Sequence, residues 1–485
     1  MPWGEIMKVL LINPPAFNEL MGNNPPIIES ERGYNPPLGL LLLAGYLMEN
    51  NTNHEVTVID AQVEELSYLQ LEHRIHALDF DVAGITAMTF TMLDVKKTID
   101  MVKRVNPECK VVLGGTHVNI FPAETIDIKG VDFLVLGEGE IRFSELLDNM
   151  NHLDKLKEIN GLMFRDPNGQ MTFTGPADII PEKILNTLPF PARQLTPYKK
   201  YSSLLAKRTP ITTMITSRGC PFNCSFCNRP HLGKKFRALS PQRVVEEFEA
   251  CIKLGIHEFL IYDDTFTVQK ERVKEICRLV IQKKLDIGFD IRARVDTLDR
   301  EMLTLLKKAG CRGIHYGIEA GTQKILKVLQ KGIDLPKAKE VFDLTKKNKM
   351  QTLAYFMIGS PTETLEDIQQ TFKIAAWLNP DFIHLTIMTP FPGTPIYREG
   401  LDKGIIKKDY WREFARNLPK DFQPPHWEEN FTRQELEKLI IKGYKQFYMR
   451  PSYILKRLFS IRSFGEFKRK AAAGLKVIFM KKRTG

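Results

Sequence analysis

At 485 residues with 43% hydrophobic side chains, the chain is long enough for two to four domains with sizeable cores. Its longest apolar run, Leu38 to Met48, is about half the roughly 20 residues that span a bilayer, which excludes a predicted transmembrane helix. The net charge of +11 is nearly all in Arg450 to Gly485, where eleven Lys or Arg face the single acid Glu466, so no basic nucleic-acid groove is expected in the body. At the other end, acidic Glu5 precedes a β-like run without the basic, apolar and small-residue order of a signal peptide, and a cytoplasmic location is expected.

In chain order, strands are predicted at Val9 to Asn13, Val56 to Asp60, Val82 to Thr86, Val111 to Leu113 and Phe133 to Leu136, with helical stretches between them. Near-continuous apolar strands alternating with helices predict an α/β fold, a Rossmann-like, doubly wound parallel sheet over residues 1–150. Ligands of such sheets sit at the carboxyl ends of the strands. There the chain places Asn13-Pro14-Pro15, Thr86-Ala87-Met88, Gly114-Gly115-Thr116-His117 and Gly137-Glu138-Gly139-Glu140. A glycine pair after a strand also serves ordinary tight turns. His117 reads equally as a ligand neighbour or a loop histidine, and Glu138 and Glu140 as ligand-side or as solvated, helix-capping acids.

Gly161 to Thr174 reads as a hairpin around Asp166-Pro167-Asn168-Gly169, and the prolines from Pro176 to Pro210 extend a connector over 151–210. A second series follows, with strands predicted at Ile211 to Thr216, Glu258 to Tyr262, Gly288 to Arg292, Gly313 to Ile318, Thr352 to Ile358 and Phe382 to Ile387. Six units over 211–395 make a partial barrel, short of the eight that close one. Residues 396–485 read as a helical extension. Its basic end interleaves Ile454, Leu455, Phe459, Phe464 and Phe467 with Lys and Arg, a pattern that fits an anionic membrane interface or a terminal helix packed on the barrel.

Of seven cysteines, Cys109, Cys251, Cys277 and Cys311 stand alone and read as small buried hydrophobes. Cys220, Cys224 and Cys227 fall within eight positions, in Ser217-Arg218-Gly219-Cys220-Pro221-Phe222-Asn223-Cys224-Ser225-Phe226-Cys227, directly after the first strand of the second series. Three thiolates so spaced hold three irons of a cubane and leave the fourth iron open. The alternative is zinc with His231 as fourth ligand, although zinc motifs usually come as two separated pairs. Strand alternation puts Asp290, Arg292 and Arg294 on one face, His315 with Gly317 and Glu319 on another, and His384 with Thr386 on a third. These faces read as a polar, ligand-binding lumen, with an ion-paired interior and satisfied core histidines as the structural alternatives.

The cysteine loop, with aromatic Phe226 before its third cysteine, resembles the cluster loop of radical S-adenosylmethionine enzymes. The resemblance extends over Tyr262-Asp263-Asp264-Thr265-Phe266, Arg292-Ala293-Arg294, Gly317-Ile318-Glu319-Ala320-Gly321, Gly359-Ser360-Pro361-Thr362-Glu363-Thr364 and Pro390-Phe391-Pro392-Gly393-Thr394-Pro395. Ser360 and Thr362 stand where the usual form has Leu and Gly. It implies a [4Fe-4S] cluster on Cys220, Cys224 and Cys227 and S-adenosylmethionine beside Asp264, Arg292, Arg294, Glu319 and Gly359. The first 150 residues resemble the cobalamin-binding domain of many such enzymes, which implies cobalamin beside Asn13, Thr86, Met88, Gly114, Gly115, His117, Gly137 and Glu138. The Asp-x-His-x-x-Gly cobalt-ligand motif of classical cobalamin domains is absent, so cobalt is expected to lack a protein histidine, as in other radical enzymes of this type. The resemblance further implies an electron donor such as flavodoxin or ferredoxin and radical methylation of a small-molecule or lipid carbon. The alternative is cyclisation or rearrangement of a tetrapyrrole, hopanoid or other lipid. A non-catalytic corrinoid-binding module would explain the first sheet alone. A lipid substrate would suit a cytoplasmic protein held at the inner face of the membrane by residues 450–485.

Overall fold

The computed structural model describes residues 7–20, 33–50, 54–203 and 206–459. Two α/β units stand in sequence, and in both the strands begin and end close to the β-branched runs. The first sheet has the order β2-β1-β3-β4-β5-β6-β7. Its parallel part comprises β1 (Lys8–Asn13), β2 (Glu55–Asp60), β3 (Val82–Thr86), β4 (Lys110–Gly114) and β5 (Phe133–Val135). Alternate residues of β1 enter different cores: Leu10 and Ile12 pack with the Met92–Val105 helix, Val9 and Leu11 with the Leu38–Asn50 and Gly139–Asn149 helices. Burial on both faces is why these strands read as continuous apolar runs. The order reverses between β1 and β3, and the crevice outside their carboxyl ends is where such sheets take ligands.

The hairpin expected in the connector belongs to this sheet instead. β6 (Leu162–Arg165) pairs antiparallel with β5, Leu134 opposite Met163, and β7 (Met171–Phe173) pairs with β6. Leu162, Met163 and Phe164 are buried, so the pairing covers the β5 edge with apolar side chains. The sheet therefore runs past residue 150, and its last two strands make it mixed.

The second sheet is wholly parallel, in the order β15-β14-β13-β12-β11-β8. It contains β8 (Ile211–Met214), β11 (Glu258–Ile261), β12 (Gly288–Ala293), β13 (Cys311–Glu319), β14 (Gln351–Ile358) and β15 (Phe382–Ile387). A two-stranded ribbon of β9 (Ser217–Arg218) and β10 (Arg237–Ala238) sits beside it. Along β13, β14 and β15, buried residues alternate with half-buried ones, so one face is cored by helices and the other opens to a lumen. Cys109, Cys251, Cys277 and Cys311 are all buried, as expected.

An incomplete barrel leaves an edge, and β15 would expose it. The Arg433–Tyr448 helix, started by the Thr432/Glu435 capping box, lies along that strand. Tyr444 Oη accepts from Leu385 N at 2.9 Å and donates to Leu385 O at 3.2 Å. Tyr448 Oη does the same at Ile383, at 3.0 and 3.3 Å, and Tyr453 Oη donates to Asp381 O at 2.9 Å. Two tyrosines thus satisfy the backbone groups of Ile383 and Leu385 in β15, and a third bonds Asp381 just before it, one way of protecting an edge strand.

The C-terminal extension also reaches back to the first unit. Tyr397, Ile406, Trp411, Phe414 and Ala415 complete its core, and Arg412 and Arg416 lie 3.4 and 3.8 Å from Glu124. Arg450, where the basic segment starts, donates to Ala376 O at 2.7 Å. The Pro451–Phe459 helix therefore leaves from the amino end of β15, away from the cysteine loop. Residues 460–485 lie outside the described residues. Among the described residues no helix is long and apolar enough to cross a membrane.

Candidate active site

The cysteine loop spans the gap between β9 and β10. Gly219 opens it at φ +77°, and a Cβ there would lie 2.4 Å from Lys235 O, so the two ends of the loop approach as closely as glycine allows. Ser225 N donates to Leu329 O at 3.0 Å, Ser225 O accepts from Ile396 N at 3.1 Å, and Asn228 Nδ2 donates to Pro392 O at 3.1 Å. The loop is thereby held against the barrel mouth. All three cysteines are free, Cys220 buried and Cys224 and Cys227 half-buried.

Two cations face the thiols. Arg229 Nη1 lies 3.2 Å from Cys227 Sγ, and Arg294 Nη1 lies 4.0 Å from Cys224 Sγ. Arg294 is fixed by a fork onto Asp296 at 2.9 and 2.7 Å, by Lys331 O at 2.7 Å and by the Phe222 ring 3.9 Å beneath it. Among the described residues no three His, Cys, Asp or Glu side chains converge on one metal-ion position. His231, the candidate fourth zinc ligand, is instead placed in the field of Glu138, Arg218 and Glu140. Three thiols on one loop with cations behind them suit a multi-iron, net-anionic thiolate cluster better than a four-ligand zinc ion.

Around the mouth, Asp263 is buried and structural, accepting from Thr216 N, Thr216 Oγ1 and Ser217 Oγ at 2.6 to 2.7 Å. Its neighbour Asp264 opens into the mouth; burial by the surrounding protein raises its carboxyl, and Arg229 and Arg292 oppose that rise. Arg292 stacks 4.1 Å over the Tyr262 ring. Glu319, at φ +73°, pairs with Lys331 at 2.8 Å, and a Cβ on Gly317 would lie 2.4 Å from that carboxylate. Gly317 therefore makes room for the pair on the lumen face. Gly359, at φ +80°, donates to Glu363 Oε2 at 2.6 Å, and burial pushes the Glu363 carboxyl up to about 7.

Deeper in the lumen, His315 Nδ1 lies 3.4 Å from Tyr355 Oη, and the Tyr355 and His384 rings meet edge-on at 5.4 Å. Burial first and Arg292 second lower His315 to about 4, so it is neutral at pH 7. The ion-paired interior is not what forms: among the described residues no ion pair joins Asp290 to Arg292 or Arg294. Arg312, not Arg292, pairs with Glu258 at 2.7 Å, and burial together with Glu258 raises Asp290 to about 7.

On the first sheet, the carboxyl edge has a similar layout. Gly115 adopts φ +109°, and a Cβ there would lie 2.8 Å from Ala87 O, so this glycine answers to the fold. A Cβ on Gly114 would meet only Val135 O, at 3.6 Å, which leaves open room along the strand end. Asn119 ties the two glycine loops, donating to Gly115 O at 2.8 Å and accepting from Gly137 N at 2.7 Å. Met88 is 44% exposed and Phe391 38%, apolar surface flanking this edge. Thr86 ends β3 half-buried beside them. This open, partly apolar edge fits the corrinoid that the resemblance implies.

Two expected contacts are turned inward. Asn13 Nδ2 donates to Asp60 Oδ1 at 2.7 Å, and Tyr201 Oη to Asp60 Oδ2 at 2.7 Å, a buried network that leaves only the Asn13 main chain at the edge. His117 is fully buried, its Nδ1 3.1 Å from Thr89 Oγ1, and burial lowers its pKa to about 3. Glu138 is not solvated, and although it stands at the N-cap of the Gly139–Asn149 helix its side chain makes no capping bond: its carboxylate accepts from Arg218, Arg237 and Ile180 N, and Glu140 from Arg218.

The two edges meet. Phe90, after β3, packs edge-on against Phe391 at 5.8 Å and Trp411 at 6.3 Å, while Arg218, before Cys220, lies 2.8 Å from Glu138. Lys331, Arg229, Asn119 and Tyr355 were not foreseen from sequence. Tyr355 alone carried a signal, since it alternates with Leu353 and Met357 along β14.

Comparison with known proteins agrees with this layout. The family model of the Radical SAM superfamily matches residues 214–375, and that of the B12 binding domain matches residues 26–147. An uncharacterized methyltransferase of Pyrococcus horikoshii is 33% identical over 466 residues, covering 95% of this chain and 96% of the relative. The anaerobic magnesium-protoporphyrin IX monomethyl ester cyclase of Rubrivivax gelatinosus is 29% identical, over 85% of this chain and 73% of its own length. The radical S-adenosylmethionine methyltransferase TsrM from Kitasatospora setae, solved with cobalamin and a [4Fe-4S] cluster bound, shares the fold at TM-score 0.68 and 18% identity, over 83% of this chain and 79% of that one. With both domain models matched in the order the two sheets take, the chain belongs to the cobalamin-binding radical S-adenosylmethionine enzymes, whose cofactors are a [4Fe-4S] cluster, S-adenosylmethionine and cobalamin.

Proposed function

We propose that the chain methylates an unactivated carbon of a small-molecule or lipid substrate seated in the lumen of the second sheet. The observation that carries this reading is the meeting of the two ligand edges at Phe90, Phe391 and Trp411, which gives a methyl donor on the first sheet and a radical source on the second a common space. The full-length match to a relative named a methyltransferase supports it. When bound, the cluster and S-adenosylmethionine supply a hydrogen-abstracting radical, and cobalamin carries the methyl group.

The chain's own residues hold and shield. Cys220, Cys224 and Cys227 ligate the cluster, and Arg294, locked by Asp296 and Phe222, fixes the loop that presents them. Asp264, Arg292, Glu319 with Lys331, and the Gly359 turn bind the charged ends of S-adenosylmethionine. His315, held neutral by burial, forms a polar row for the substrate with Tyr355 and His384. On the first sheet, the main chain at Asn13, Gly114, Gly115 and Gly137, with Thr86 and Met88, receives the corrinoid; His117 and the Glu138 side chain support it from behind.

The electron comes from a small donor of the flavodoxin or ferredoxin kind, and the protein works in the cytoplasm. Residues 450–485 hold it at the membrane's inner face. Methyl-deuterated S-adenosylmethionine tests the reaction: a product heavier by the labelled methyl supports methylation. Deoxyadenosine formed with an unlabelled, ring-closed product would establish the cyclase reading that the relatives of that name favour.

A further inference from the structure

The cysteine loop is stapled to the first unit by two carboxylates, Glu138 and Glu140, of which Glu138 holds both strands of its stem. β9 and β10 form the stem of the loop, and each carries an arginine: Arg218, two residues before Cys220, and Arg237, paired with it in register. Both reach the same acid. Arg218 Nη1 donates to Glu138 Oε1 at 2.8 Å and Arg237 Nη1 to Glu138 Oε2 at 2.7 Å. Glu138 Oε2 also accepts from Ile180 N at 2.8 Å, and Arg237 returns to Ile180 O at 2.7 Å. The other guanidinium nitrogen of Arg218 donates to Glu140. The Glu138 and Arg237 side chains are each 1% exposed.

Such a network is costly to bury and costly to break, because either charge left alone in the interior is poorly solvated. A structural tie between two units needs only apolar contact, which the Phe90, Phe391 and Trp411 cluster already supplies. Glu138 also follows Gly137, whose N–H is held by Asn119 and, through it, by Gly115. A path of hydrogen bonds, joined by the peptide link from Gly137 to Glu138, therefore runs from the open strand ends of β4 and β5 to both ends of the loop bearing Cys220, Cys224 and Cys227.

We propose that Glu138 is a positioning residue that couples the two cofactor sites: occupation of the first sheet's edge by cobalamin sets the cysteine loop, and with it the affinity for S-adenosylmethionine. The inference rests on the cofactor placement proposed above. Coupling of this kind is reciprocal, since each ligand must change the other's affinity by the same factor.

The test uses the full-length chain with its cluster reconstituted anaerobically. S-adenosylmethionine binding is measured by calorimetry, and by its effect on the paramagnetic spectrum of the reduced cluster, with and without hydroxocobalamin. In the native chain, cobalamin should tighten S-adenosylmethionine binding by about fivefold or more, the lower end of ordinary allosteric coupling. In Glu138→Gln, measured at saturating hydroxocobalamin for that variant, iron content should persist while that ratio falls towards one, whatever the change in cobalamin's own affinity. Arg218→Lys, which keeps the charge but cannot span Glu138 and Glu140, should give an intermediate ratio and serves if Glu138→Gln fails to fold. A native ratio of one, or a variant that binds both ligands and keeps the native ratio, overturns the proposal. Failure of the native chain to bind either ligand would instead strike at the cofactor placement.

Discussion

Replacing Tyr444 by Phe removes one oxygen and nothing else from the contact between the Arg433–Tyr448 helix and β15. That oxygen accepts from Leu385 N at 2.9 Å and donates to Leu385 O at 3.2 Å. Leu385 is fully buried and Tyr444 nearly so, at 2% exposure, so water cannot take its place. Each buried backbone group left without a partner costs about 1 to 3 kcal/mol, and two such groups predict a loss of about 2 to 6 kcal/mol in urea unfolding. Tyr448→Phe removes an equivalent pair of bonds at Ile383, but from a half-buried ring that water can reach, and should cost about 1 kcal/mol or less. The contrast isolates burial from bond count. Hydrogen exchange should show the Leu385 amide losing protection in Tyr444→Phe alone. If the two variants lose equal stability, or Tyr444→Phe loses under about 0.5 kcal/mol, the reading of this helix as the seal of the barrel edge is wrong.

Asp290 has a carboxyl raised from 3.8 to about 7 by burial and by Glu258, so the folded chain holds a proton that the unfolded chain releases. Its contribution to stability is present below pH 4 and is lost as pH rises through about 7. Asp290→Asn should flatten that limb of the stability profile and gain up to about 4 kcal/mol at pH 8; a variant whose profile between pH 4 and 8 parallels the parent refutes it. His117 is wholly enclosed, so reduced cob(II)alamin bound to the protein should show no nitrogen splitting from an axial imidazole, and such splitting would move His117 to the cobalt. For the basic segment, deletion should begin after residue 459, because Arg450 and Tyr453 secure the barrel edge. The shortened chain should stop sedimenting with anionic liposomes at low salt, at a loss of about 1 kcal/mol per basic residue near the surface, whereas a full-length chain that ignores liposomes at every salt concentration ends the membrane reading.

Strands of both sheets are legible in the sequence because a parallel strand buried on two faces is a local, near-continuous apolar run; β3 and β15 coincide with their runs. The cysteine loop is legible for a similar reason, its three ligands lying within one turn-rich segment. What sequence hides is pairing at long range. Nothing near Leu162 to Phe164 announces that β6 will cover β5, and the connector prolines on its far side suggest the opposite. Glu138 looks like a helix-start acid, and its partner Arg218 lies 80 residues away. Lys331 sits in a loop without periodicity, so only the fold brings it to Glu319. Tyr444 and Tyr448 are spaced to share a helix face, but the strand they grip cannot be read from that spacing.

Cofactor content, measured on one anaerobically reconstituted sample, is the most direct test of the two-site arrangement. The native chain should hold about four irons and one cobalamin, and reductant with S-adenosylmethionine should yield deoxyadenosine. Changing Cys220, Cys224 and Cys227 together to Ala should remove the irons and the deoxyadenosine while cobalamin stays bound. Stoichiometric zinc without an iron chromophore in the native chain, or irons that survive loss of all three cysteines, would contradict it.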